Sequence, residues 1–205
     1  MGIFGFAPMV VVVGAGSGIA SFKDMLEQAR AAPGKLSFAS GGLGSLPHLV
    51  GELVNLKAGV KISHVPYNGT APLLQAQLSQ QVDCSINVLP TVEPHIRNGA
   101  LRLLAVAMPQ RMPEFPDVPT FRELGHDVVA ESAYGIAAPR GTPPAIVNIL
   151  HDAFKAAVHD PQHLAVLARF DMPVRYLDTA GFTADAAVQA EEAKRIVQEL
   201  GLRAE

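Results

Sequence analysis

The chain has no tryptophan and a single cysteine, Cys84, so two common devices are missing at once. One thiol excludes an intrachain disulfide and any metal site built from several cysteines. Cys84 lies in the expected strand Val82–Val88 and reads as a small buried hydrophobe. The missing indole removes a frequent aromatic binding platform. Charge is also sparse: charged residues make up 17% of the 205, with a net charge of −3. No basic tract and no aromatic-basic cluster occurs, so no nucleic-acid partner is expected. There is no Gly-Lys-Ser/Thr phosphate loop, and Gly41-Gly42-Leu43-Gly44 does not have dinucleotide spacing. No Ser-His-Asp order, paired acidic motif or metal motif stands out, and His64 and His95 have no carboxylate cluster near them in sequence. No catalytic residue, metal ligand or cofactor is assigned. The apolar stretch Ile3–Val13 is too short to span a bilayer, carries Gly5 and Pro8, and has no positive region before it. It reads as neither a membrane helix nor a signal peptide. Met9–Val13 reads as a core strand, which suggests a chain starting in the middle of a larger architecture.

What the chain does have is apolar mass. Hydrophobic residues make up 49%, enough for a packed core. Strand and helix patterns alternate along it. Helices are expected at 21–31 (capped by Ser21), about 48–57, 72–79 and 92–98. Strands are expected at 36–39, 62–65, 82–87 and 101–107. Pro109–Pro119 reads as an extended surface segment and Phe121–Leu124 as a helical turn. Then follow a strand at 134–138, a helix from Pro143 capped by Thr142, and another from Pro161. A strand at 173–176 and a long helix capped by Thr179 and ending at Gly201 close the chain. This order predicts an α/β fold with mostly parallel sheets flanked by helices.

The most informative stretch runs from Lys35 to Val54. A buried strand leads into the glycine-rich turn Ser40–Ser45, and an amphipathic helix opens near Pro47. Gly41, Gly42 and Gly44 permit close backbone approach to a ligand. The first N–H groups of the helix have no internal partner and favour a small anion. A plain strand-to-helix connection is the alternative. Pro47 removes one donor. His48 reads either as a residue orienting the loop or, more simply, as an early helix residue with a satisfied ring. Tyr67 in the Tyr67-Asn68-Gly69 turn reads as a ligand contact or as a ring packed on Pro66. Asn87 reads as a ligand contact at a strand end or as an amide closing a turn before Pro90. Asp83 reads as structural. The run Glu191–Arg195 reads as a solvated helix face.

Seven segments, in order, resemble one known family: Gly34-Lys-Leu-Ser-Phe-Ala-Ser40, His48-Leu-Val-Gly-Glu52, His64-Val-Pro-Tyr-Asn-Gly69, Gln81-Val-Asp83, Pro94–Arg102, Phe115-Pro-Asp-Val-Pro-Thr120 and Tyr134–Pro143. They resemble the solute-binding proteins of tripartite tricarboxylate transporters, the Bug or TctC-like family. The resemblance implies lobes like those of type II periplasmic binding proteins, closing as a clamshell on a small organic carboxylate for membrane permease subunits. It implies no enzyme activity, no cofactor and a periplasmic location. Residues 9–105 are then expected to be a nearly complete second, middle lobe. Residues 106–130 would be the crossover and hinge, and 131–205 the returning C-terminal half of the first lobe. A complete member carries an export signal and roughly a hundred further residues before this point, so the first lobe is expected to be incomplete, or completed in a homo-oligomer. The resemblance assigns ligand binding to Ser40, Gly42, Leu43, Gly44, Ser45, Tyr67, Asn87, Ser132 and Tyr134. Ala133 stands where the family usually has tryptophan, which removes an aromatic lid. The competing expectation is a truncated relative that no longer binds and acts as an interaction or domain-swapped module.

Overall fold

The apolar run near the start of the chain is buried on both faces of one strand. In a computed structural model, which describes residues 3–169, 174–199 and 201, β1 (Ile3–Gly14) lies between β4 (Cys84–Val88) and β5 (Leu101–Val106) and runs antiparallel to both. Met9, Val11 and Val13 pack with Phe22 and Met25 of α1 (Phe22–Ala31) and with Val50 and Val54 of α2 (Leu46–Ala58). Val10 and Val12 face the other way, against Leu89 and Val92 of α4 (Leu89–Arg97). Covered faces on both sides explain an unbroken apolar run where a half-exposed strand would alternate.

The chain divides into two compact units. The larger holds residues 8–131 with 196–205, and the smaller holds 1–7 with 132–195. In the larger unit the sheet order is β3-β2-β4-β1-β5, with β2 at Ser37–Ser40 and β3 at Ser63–Pro66. β2 pairs parallel with both β3 and β4. β2, β3, β4 and β5 share a direction, as a mostly parallel sheet requires, and β1 alone opposes it. It does so although it too is followed by a helix, α1.

β2, β3 and β4 lead at once into α2, α3 (Thr70–Leu78) and α4. α2 shares a cluster with α1, whereas α3 packs Leu73 and Ala76 on Ala39 and Val82. Asp83 ties the starts of two strands: its Oδ2 accepts from the Ser37 N–H and Oγ, each at 2.8 Å. Buried Cys84 carries a thiol pushed up to about 12 by burial and by Asp83, so it is no nucleophile. α1 is conventionally capped: Ser21 Oγ accepts from Asp24 N–H at 3.1 Å, and Asp24 Oδ2 accepts from Ala20 N–H at 2.7 Å.

The smaller unit contains β6 (Glu131–Gly135, apart from its first residue), α5 (Pro144–Val158), α6 (Pro161–Arg169), β7 (Val174–Leu177) and most of α7 (Thr179–Glu199). β7 pairs antiparallel with the first part of β1, Ile3 opposite Leu177. Two expected caps shift by one residue. Pro143 sits at the N-cap of α5, and Thr142 Oγ1 instead donates to Pro139 O at 2.8 Å, closing the preceding turn. Thr179 is already helical, and the Asp178 carboxylate, a stronger acceptor, takes the Gly181 N–H at 2.8 Å. The expected strand residue Pro173 lies outside the described residues. Lys194 lies 3.7 Å from Glu191 on the exposed face of α7.

Candidate functional site

Three helices start at one edge of the larger unit's sheet, and none of their first turns is neutralised. Ser40 pairs with Pro66 and Ala39 with Ser85, so one step further on Gly41, Tyr67 and Asn87 stand level across β3, β2 and β4. The N-caps of the helices that follow are Ser45, Gly69 and Val88. None makes a side-chain capping bond, and no first turn holds an acidic residue. α1 follows a strand of opposite direction and has both. Each open helix end favours an anion by about 0.3–1 kcal/mol when exposed. Three such ends fall short of even millimolar affinity, about 4 kcal/mol, so direct amide donors must add to them.

The glycine loop supplies such donors because it is folded on its own polar groups. The Gly42 carbonyl accepts from Ser45 Oγ at 2.7 Å, Ser40 Oγ at 3.1 Å and Ser45 N–H at 3.3 Å. Both serine hydroxyls expected to meet a ligand therefore donate inside the loop and shape it. A second loop braces it: Tyr67 N–H donates to Ser40 O at 2.9 Å and Gly69 N–H to Gly41 O at 3.1 Å. Gly44 has a φ of 72° and Gly69 a φ of 97°, conformations that disfavour a side chain. The Leu43 side chain is exposed. The amides of Leu43, Leu46 and His48 bond to no group among the described residues.

Two histidines support this loop from beneath. His48 Nδ1 accepts the Gly44 N–H at 3.0 Å, so its ring is a loop support as well as a satisfied helix residue. The His64 ring stacks on it with centroids 4.0 Å apart, and Phe38 backs His64 at 4.8 Å. His64 Nε2 lies 2.7 Å from Ser40 Oγ. With the Ser40 hydroxyl donating to Gly42 O, that nitrogen carries the proton and donates to Ser40. Burial holds His48 below the ordinary histidine value, opposed by Glu52, whose Oε1 is 3.9 Å from Nε2. Burial and then the His48 ring lower His64 to about 4. Both rings are neutral at neutral pH.

Asn87 is buried and its Nδ2 donates to Ser85 Oγ at 2.9 Å. The Tyr67 ring packs on the Ala39, Leu73, Ala76 and Val82 cluster. Ser40, Gly42, Leu43, Gly44, Ser45, Tyr67 and Asn87 thus gather at one sheet edge, whereas Ser132 and Tyr134 lie on β6 in the smaller unit. Sequence reading overlooked the open ends of α3 and α4 and the role of His64. The available signal was a strand followed by an early helical proline without an acidic cap, as at Pro47, Pro72 and Pro90. Among the described residues no group of three or more His, Cys, Asp or Glu is placed to hold a metal ion. No helix among them is long and apolar enough to cross a membrane.

Known proteins share this architecture. The "UPF0065 protein in gbd 5'region" of Cupriavidus necator is 40% identical over 192 residues, covering 94% of this chain and 58% of that protein. The chain spans about half the length of the curated relatives it matches. A solved structure of a periplasmic transporter superposes with a TM-score of 0.91 at 32% identity, covering 98% of this chain and 67% of that one. Rpa4515 of R. palustris, solved with adipate, gives 0.89 at 27% identity over 97% and 67%. MatC (Rpa3494) of Rhodopseudomonas palustris, solved with bound malate, gives 0.80 at 25% identity over 97% and 67%. The α/β fold is that of these solved structures. The model of the tripartite tricarboxylate transporter family receptor, TctC, matches residues 3–202, and the chain belongs to that family.

Proposed function

We propose that this chain takes part in capturing a small organic dicarboxylate outside the cytoplasmic membrane, without chemistry, for delivery to the permease subunits of a tripartite tricarboxylate transporter. The observation that carries this reading is the set of three unneutralised helix starts beside a loop with free amides. Such an edge attracts a carboxylate through backbone donors and fixed dipoles. Adipate and malate, the ligands of the two neighbours, are both dicarboxylates and support the class. In this reading Leu43, Leu46 and His48 present the amides, Gly42 and Gly44 give the loop its curvature, and Ser40 and Ser45 hold it. Tyr67 and Asn87 flank it, and Ser132 and Tyr134 enter through the family resemblance. The neutral, internally bonded histidines leave this edge without an activated nucleophile among the described residues.

The second reading is an interaction or domain-swapped module that does not bind solute. Ile146, Ile149 and Phe154, exposed on α5, favour it. Calorimetric titration of the purified chain with malate and adipate separates the two. Saturable heat, with a rise of about 2.7 kcal/mol in stability at a hundredfold excess over the dissociation constant, supports capture. Silence with both ligands from a folded sample removes it in favour of the second reading.

A further inference from the structure

We propose that His48 is a positioning residue that holds the glycine loop through Gly44 in its neutral form and releases it on protonation, so that anion capture by this loop is pH dependent. The capture half rests on the carboxylate-binding reading, whereas the loop half does not.

The hydrogen-bond direction carries the argument. An imidazole nitrogen that accepts an amide hydrogen carries no proton of its own, so the Gly44 bond at 3.0 Å requires the Nε2–H tautomer of His48. A proton added at Nδ1 sets two N–H groups face to face, and the attraction becomes repulsion. The ring cannot move away, because it is buried with His64 stacked on one side. Gly44 can move: nothing lies within 4 Å of the position its Cβ would take. The charged and titratable groups around the ring are few. α2 presents Glu52, and β3 presents His64. β2 contributes Ser40 and Phe38 through His64, neither charged. The loop from Gly41 to Ser45 holds no titratable side chain. A proton on His48 would be met by Glu52 and would leave the pair neutral rather than positive, so the loss of a preformed loop is expected to decide. Sequence spacing puts Gly44 four residues before His48, whereas the supporting ring comes from a separate strand.

The test follows the Gly44 amide of the 15N-labelled chain, without ligand, from about pH 8 to about pH 5, beside the His48 ring. The expected result is that the amide shifts and loses exchange protection along the ring's own titration. An amide that stays fixed while the ring titrates overturns the proposal, whether or not any carboxylate binds. Malate then serves as the probe: wild-type affinity is expected to weaken as the ring titrates, by less than about tenfold at about pH 5.5 because burial holds His48 below the ordinary histidine value. His48→Asn keeps an acceptor near Nδ1 that does not titrate, and is expected to retain affinity and flatten the profile. His48→Leu is expected to bind weakly throughout. A His48→Asn chain with the wild-type profile overturns the proposal. If neither malate nor adipate binds the wild type near neutral pH, the carboxylate reading fails and the Gly44 titration alone decides the loop.

Discussion

Gly51 and the Phe38 ring occupy space that admits no further carbon: a Cβ on Gly51 would lie 2.2 Å from the ring. This approach lets α2 lie close on β2 and places the helix start beside the glycine loop. Gly51→Ala is expected to destabilise the larger unit by about 1–3 kcal/mol through overpacking. Adding Phe38→Leu should recover part of the loss. Thermal unfolding of both variants checks this, and a Gly51→Ala chain as stable as wild type would show that the packing gives way.

Ser45→Asp should separate folding from capture. A carboxylate at the N-cap of α2 suits the helix end, but it also removes the hydroxyl that donates to Gly42 O, so the two effects, each about 1 kcal/mol, should nearly cancel. The same charge occupies the edge where a carboxylate ligand is expected. A melting temperature near that of the wild type with lost malate binding is the expected pair of results; retained binding would move the ligand away from this loop.

Asp83→Ala removes the acceptor for both the Ser37 N–H and Oγ, and leaves the Ser37 hydroxyl only as the acceptor of the residue-83 N–H. The expected cost is about 1–3 kcal/mol, read by denaturant unfolding. Ligand affinity should change little, because this contact lies at the strand starts, the end opposite the glycine loop.

Stability should fall with acid in a defined window. Burial lowers both His48 and His64 in the folded chain, so the unfolded chain takes up protons first as pH falls. The histidine contribution is complete above the unfolded value of about 6.5 and is lost as pH drops from there toward about 4. Urea midpoints across that range should show it, and His64→Asn should shallow the slope.

Cys84 should react with a thiol reagent only through unfolding. It is buried, and its thiol is pushed up to about 12. Labelling that tracks the global unfolding equilibrium in urea is expected; rapid labelling of the native chain would show local opening of β4.

Local signals carried most of the fold. Ser21 caps α1 as its side chain announces, and the Met9–Val13 run, apolar at every position, marks a strand covered on both faces. The misjudged caps at Thr142 and Thr179 failed because a neighbouring proline or carboxylate competed for the same turn. The direction of β1 was not legible, since nothing in Ile3–Gly14 encodes which neighbours it will oppose. The glycine loop was legible from spacing alone. That its serines would bond inward depended on where Gly42 turns its carbonyl, and His64 joined His48 only because β3 lies beside β2. Contacts that depend on strand order are invisible until that order is known.

The Gly42 carbonyl, held by both serines, divides the labour of recognition. A turn whose hydroxyls are committed to its own curvature offers an incoming molecule only main-chain hydrogens, and main-chain hydrogens are the same whatever the side chains around them. In the proposed reading such a socket would grip one carboxylate head and be indifferent to the tail. Discrimination among tails then falls to the surrounding walls, which can be exchanged without disturbing the grip. A scaffold of this kind can be retuned to a new acid by altering its rim while its centre stays untouched.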